Sequence, residues 1–180
     1  MKPNSLQELY VEQLRDLYDA EHQIIKALPK MVDEATSNDL KDALTEHLEI
    51  TKTQATRLEQ IFESSGEKAK GEKCKGMQGV IQEGSDLIGD IEDVDVRDAA
   101  IIASAQRVEH YEMAGYGTAR TYATLLGDEN ASQLLQQTLD EEKEADQKLT
   151  ALAEEINVSA TAGTTGVAAE KRASTRKRVA

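Results

Sequence analysis

Residues 14–31 read LRDLYDAEHQIIKALPKM, and this stretch settles the class of fold. Leu14, Leu17, Tyr18, Ile24, Ile25, Leu28 and Met31 recur at spacings of three and four, the period of an amphipathic helix. With Leu6 and Leu9 before them and Val32 after, the pattern predicts a helix over about residues 5–36. At about 100° per residue, Leu14, Leu17, Ile25 and Leu28 fall within about 40° of Glu21. A carboxylate therefore occupies the middle of an apolar stripe, where an unpaired charge costs several kcal/mol or takes up a proton. Pro29 brings no amide donor and predicts a kink or break near residue 28.

The same reading extends along the chain. Ser37 and Asn38 are candidate caps for a second helix to about Phe62, with Leu40, Ala43, Leu44, Leu48, Ala55, Leu58 and Ile61 on its apolar face. A Gly- and Lys-rich stretch over residues 64–76 breaks the pattern. A short helix over about residues 77–91 follows, weakened by Gly79, Gly84 and Gly89. A third long helix is expected from about Asp98 to Leu126, closed by Gly127-Asp128, and a fourth over about residues 130–156. Two long helices, a connection carrying a small helix, and two more long helices predict an all-α, four-helix bundle with one long crossover. Past Ile156, Ala, Thr and Gly take over without periodicity. The expected division is a bundle over residues 1–156 and a disordered tail over residues 157–180.

Composition agrees with this class. The 180 residues amount to one domain, 39% of them hydrophobic, with one Phe and no Trp, so the core falls to Leu, Ile, Val, Ala and Tyr. No apolar run approaches the ~18 residues of a membrane span, and no secretory signal opens the chain. The cytoplasm is the expected compartment. The single Cys74 excludes an internal disulfide framework and a thiolate-built zinc site, and reads as an ordinary buried or exposed thiol. Of the net charge of −13, the segment from Glu170 to Ala180 carries five basic side chains against one acidic, a net of +4, leaving −17 on the rest. An acidic body repels nucleic acid and attracts cations, while the basic tail could contact an anionic partner such as DNA.

The other long helices repeat the anomaly seen at Glu21. His47 is centred among Leu40, Ala43, Leu44, Thr51, Gln54, Leu58 and Ile61. Glu109 lies among Ile102, Ala105, Met113 and Tyr116, with Glu112 one turn along, and Glu142 lies among Leu135, Thr138, Leu149 and Ala153, joined by Asp146. Ala20-Glu21-His22 is echoed by Val108-Glu109-His110, and Leu44-Thr45-Glu46-His47 by Leu139-Asp140-Glu141-Glu142, as though two halves were related by a pseudo-two-fold. A lone His47 or Glu21 on an apolar stripe is more often a hydrogen-bonded core group or a specificity device of the bundle than a ligand. Four helices agreeing favours one shared site. Clustered carboxylates with an imidazole are tolerable in a core chiefly when cations neutralise them, and they suit iron, manganese or zinc. His22 and His110 lie to the side as candidate supports for ligands. Gln54 and Gln106 are either ligand-orienting groups or core amides, and Tyr18 and Tyr116 either flank the site or simply pack. Asp16, Asp19, Glu46, Glu49, Glu141 and Glu144 read as solvated surface charge. No phosphate-binding loop, nucleophile elbow, dinucleotide fingerprint or H-E-x-x-H is present.

Five blocks, LRDLYDAEHQIIKALPKM, EHLEITKTQATRLEQIF, KCKGMQGVIQEG, VEHYEMAGYGTA and LLQQTLDEEKEAD, together resemble the YciE/YciF family of bacterial ferritin-like proteins over about residues 6–156. The resemblance implies a ferritin-like bundle with a metal site in its core, self-association as a homodimer or larger homo-oligomer, and a stress-associated role. Its acidic and His positions fall on Glu21, His47, Glu109, Glu112, Glu142 and Asp146, the residues chosen by the stripes. The wider ferritin-like pattern places Glu-x-x-His on two helices. Here helix two has Leu44 three residues before His47, and helix four follows Glu142 with Ala145 and Asp146. That departure weighs more against ferroxidase or oxygenase activity than against metal binding. The expected function is a dinuclear iron or manganese site, zinc being the other metal the donors suit, in a stress-response protein. The alternative is a non-catalytic helical scaffold whose basic tail contacts an anionic partner.

Overall fold

Each long helix begins behind a side chain that accepts hydrogen bonds from its otherwise free first amides. Ser5 accepts from the Glu8 amide at 3.1 Å and opens α1 (Leu6–Glu34). Ser37 accepts from the Leu40 amide at 3.4 Å and opens α2 (Asn38–Ser64). In the crossover Cys74 Sγ accepts from the Met77 amide at 3.3 Å ahead of α3 (Lys75–Gly89). Asp93 accepts from the Asp95 and Val96 amides, both at 3.1 Å, and opens α4 (Val94–Leu125). Asp128 accepts from the Ala131 amide at 3.0 Å at the start of α5 (Glu129–Lys177). This computed structural model describes residues 3–177, and the side chains of residues 3–161. Helices are the only regular elements among the described residues.

The order of the bundle follows from two hairpins and one buried carboxylate. Residues 35–37 turn α1 into α2, and residues 126–128 turn α4 into α5, with Gly127 at φ 79°, a left-handed conformation that favours glycine. Asp98, 3% exposed in the first turns of α4, accepts from the Thr36 amide at 2.8 Å and the Ser37 amide at 2.7 Å. The start of α4 is thereby fastened to the turn between α1 and α2, so α4 runs antiparallel to α1. The crossover must climb the length of the bundle to get there. α1 packs on α2 and α4, α5 packs on α4 and α2, and α3 lies against α4 and α1. Asp98→Ala would leave two amides without their acceptor, and an expected loss of about 1–3 kcal/mol should appear in urea unfolding. The exposed Asp95→Ala should change stability by about 0.5 kcal/mol or less.

Several expected boundaries move. α1 runs through Pro29 without a break, because Pro29 is exposed near the helix end, where water can meet the carbonyl left without a donor. α4 begins four residues before Asp98, behind the Asp93 cap. Gly84 does not weaken α3 so much as seat it: a Cβ there would come within 2.9 Å of Ser104 Cβ on α4. α5 continues past Ile156, where a disordered tail was expected, and Ser159 and Thr161 donate to carbonyls one turn back. The side chains of residues 162–180, including the basic segment, lie outside the described residues.

The apolar core is divided in two. One cluster holds Ile24, Leu28, Leu40, Leu44, Met77, Ile101 and Leu149, and the other holds Leu14, Leu17, Leu58, Ile61, Phe62, Tyr116 and Leu135. On α2, α4 and α5 the break between them comes at a buried ionisable residue, and on α1 Glu21 follows directly after Ala20, where the first cluster begins.

Candidate metal centre

Five side chains from four helices fill the layer between the two clusters: Glu21 of α1, His47 of α2, Glu109 and Glu112 of α4, and Glu142 of α5, none more than 7% exposed. Their placement follows from the stripes, since each takes an apolar position whose neighbours one turn away are core residues. His47, Glu109, Glu112 and Glu142 each bring a donor atom within 4.8 Å of the other three, a spacing a metal ion could occupy. His47 Nε2 lies 3.3 Å from Glu109 Oε1, inside ion-pair distance but without hydrogen-bond alignment. Glu21 stands beside this group and accepts a hydrogen bond from the buried Tyr116 hydroxyl. Its second oxygen has no partner.

The unsatisfied atoms define the chemistry. Both oxygens of Glu112 and of Glu142, one of Glu109 and both ring nitrogens of His47 are buried without a hydrogen-bond partner. Native cores rarely leave such groups unpaired, and so many in one layer fit a cation that would satisfy them together. Burial, followed by the charge of Glu142, holds Glu21 and Glu109 well above the ordinary carboxylate range. Glu112 is raised in the same way by burial and then by Glu21 and Glu142. Glu142 is pushed up to about 7, chiefly by burial, with the charge of Glu141 adding to the rise and that of Arg57 opposing it. Burial lowers His47 to about 4 and keeps its imidazole neutral, the form that coordinates metal.

The remaining expectations divide. Asp146 falls outside the group of four and is half-buried beside it, accepting from Gln106 Nε2 at 3.1 Å and facing His110 Nε2 at 3.4 Å. Gln106 and His110 thus support that carboxylate. His22 instead meets the Tyr18 carbonyl at 2.8 Å, and the Tyr18 hydroxyl donates to Glu59 at 2.8 Å, so neither serves the centre. Three acidic residues expected on the surface are in use. Glu141 takes both arms of Arg57, at 2.5 and 2.7 Å, and accepts from Gln54 at 3.2 Å. Asp19 accepts from the Cys74 amide at 2.9 Å, and Asp16 from the Tyr111 hydroxyl at 3.1 Å and Cys74 Sγ at 3.2 Å. Cys74 is buried and fastens the crossover to α1.

Arg57 was not legible as part of the site. It donates also to Thr138 at 3.2 Å, and its charge favours the ionised forms of Glu21 and Glu142. The one signal in the sequence is its position about 80° from His47 around α2, at the edge of the stripe.

Known proteins share this architecture. Protein YciF of Escherichia coli K12 is 46% identical over 155 residues, which are 85% of this chain and 93% of that protein. The crystal structure of the E. coli stress protein YciF matches 86% of this chain and 98% of its own at a TM-score of 0.83 and 43% identity. YcfI of Rhodopseudomonas palustris, described as a candidate structural protein, matches 82% of this chain and 94% of its own at a TM-score of 0.80 and 46% identity. The profile of DUF892, a domain of unknown function, matches residues 5–162, and with these relatives it shows that the chain belongs to the DUF892 family of YciF-like proteins.

Proposed function

We propose that this protein holds a dinuclear iron or manganese centre in the middle of its bundle and works in the response to oxidative or general stress. The observation that carries the reading is the buried layer in which His47, Glu109, Glu112 and Glu142 converge within 4.8 Å while most of their polar atoms lack partners. His47 would contribute a neutral nitrogen and the three glutamates anionic oxygens, with Glu21 and Asp146 as the outlying carboxylates of the set. Bound iron or manganese would supply redox chemistry toward oxygen or peroxide. Arg57 and Tyr116 then have positioning roles: Arg57 offsets part of the negative charge, and the Tyr116 hydroxyl orients Glu21. The stress role rests on the E. coli relative, which is described as a stress protein.

No described helix is long and apolar enough to cross a membrane. A cytoplasmic location and self-association as a homodimer or larger homo-oligomer belong to the same proposal, both drawn from the family resemblance. Metal analysis after anaerobic purification with added iron tests the central reading. About two metals per chain are expected from a carboxylate-bridged pair. No metal would overturn it and favour the second reading, a helical scaffold, which has support in the description of the R. palustris relative. In that reading the basic tail should retain DNA at low salt and release it steeply as salt rises.

A further inference from the structure

A cavity of about 470 Å³ opens between α1, α3 and α4, within the range of about 300–1,000 Å³ typical of small-molecule sites. Its walls are mainly apolar, formed by Ile24, Leu28, Ile81, Ile88, Ala105 and Val108, and His47 and Glu109 close its inner end. The wall also holds the buried hydroxyl of Ser104, which has no hydrogen-bond partner. Gly84 and Ser104 are in close approach at this point, so α3 is seated tightly on α4 and the cavity is a gap on the α1 side, not a sign of a loose helix.

The opening has its own chemistry. Lys26 and Lys30 line it, exposed and one turn apart on α1, and neither has an ion-pair partner among the described residues. Glu34, the acidic side chain at the rim, is engaged by Arg97 at 3.4 Å. Two unpaired ammonium groups at the mouth of an apolar cavity, on an otherwise acidic body, attract an anion. The inner end, closed by His47 and Glu109, offers an anion no lysine or arginine side chain and no open water.

We propose that this cavity binds an aliphatic carboxylate of medium chain length, its head group at Lys26 and Lys30 and its chain along the apolar walls toward His47 and Glu109. Such a ligand meets each feature in turn: charge at the mouth, hydrocarbon on the walls, and its far end beside the metal-binding layer. The opposite orientation would bury the carboxylate at the inner end, away from both lysines and stripped of its water, and is disfavoured by that lost hydration. The inference extends the metal-centre reading without requiring that metal be bound.

Calorimetric titration of the full chain with decanoate, decanol and decyltrimethylammonium, each below its micelle concentration, tests this in both metal-loaded and EDTA-treated protein. Decanoate should bind about tenfold more tightly than decanol, as expected for two exposed charge contacts, and the cation most weakly. The double variant Lys26→Glu, Lys30→Glu should erase the preference for decanoate over decanol. Ala27→Phe, which fills the cavity from α1, should remove binding of both, and Ala105→Leu does so from α4 if the first variant fails to fold. Decanoate binding no tighter than that of decanol, or unchanged by a folded cavity-filling variant, would overturn the proposal. Metal content is read in the same samples, so a chain that holds metal but ignores decanoate defeats this inference alone, and a chain that binds decanoate without ever holding metal defeats only the metal centre.

Discussion

Glu142→Gln should strip the protein of metal while leaving the metal-free fold no less stable than the wild type. The amide keeps the shape of the side chain but removes the anionic donor that α5 brings to the group, at 0% exposure among Glu109, Glu112 and His47. In the metal-free chain the same change relieves repulsion, since the charge of Glu142 raises Glu21, Glu109 and Glu112. His47→Leu is the complementary variant, because leucine suits a stripe that already contains Leu40, Leu44 and Leu58 and lacks only the nitrogen donor. Losing an outer hydrogen-bond partner of a ligand costs about 10–100-fold in metal affinity, and losing a ligand should exceed that. Glu46→Gln supplies the control: Glu46 is exposed and pairs with Lys148 on the surface, so metal content should not change. Wild-type metal content in folded Glu142→Gln and His47→Leu would show that these residues are not ligands.

The second large effect is a stability profile that metal changes. In the metal-free chain Glu142 is raised to about 7, and Glu21, Glu109 and Glu112 are raised in the same direction. A carboxyl with a raised pKa binds its proton more tightly folded than unfolded, so the stability it contributes is complete at low pH and is lost as pH climbs through its folded value. His47, lowered to about 4, acts oppositely: its contribution is complete above its ordinary value and is lost as pH falls toward 4. Above pH about 6.5 only the carboxylates act. The EDTA-treated chain should therefore lose stability between pH about 6.5 and about 8, by about 1.4 kcal/mol per pH unit for each carboxyl still protonated in the fold. Divalent metal takes the place of those protons and binds the folded state, so it should raise the melting temperature most at the upper end of this range. At a hundredfold excess over the dissociation constant the gain is about 2.7 kcal/mol. Urea unfolding at several pH values, with EDTA or with manganese, measures both effects. A flat EDTA profile over that range would show that the carboxylates do not share a dry core.

Glu21, His47, Glu109, Glu112 and Glu142 were legible because a helix repeats its faces at a fixed angle, and a charged residue on an apolar stripe is visible in one dimension. The four long helices were legible for the same reason. Asp98 was not: it lies more than 60 residues from the Thr36 and Ser37 amides it holds, and in its own helix it looks like one more acidic residue. Glu141 was read as solvated because its angle on α5 points away from the stripe, yet Arg57, 84 residues earlier, reaches it across the gap between α2 and α5. Asp16 and Asp19 were misread similarly, since the crossover that needs them is itself irregular and carries no period.

Periodicity alone determined that the chain is a bundle of long helices, which face of each turns inward, and which ionisable groups are carried into the core. These are local matters, set within each helix by its own 3.6-residue repeat. Only the tertiary structure decided that Glu21 and Asp146 stand beside the group of four, that Tyr116 donates to Glu21 and Arg57 to Glu141, and that α3 leaves a cavity ending at His47 and Glu109. Those outcomes depend on the axial register of one helix against another and on long side chains reaching between them. Register is a property of the packed pair, and no periodic pattern within a single helix encodes it.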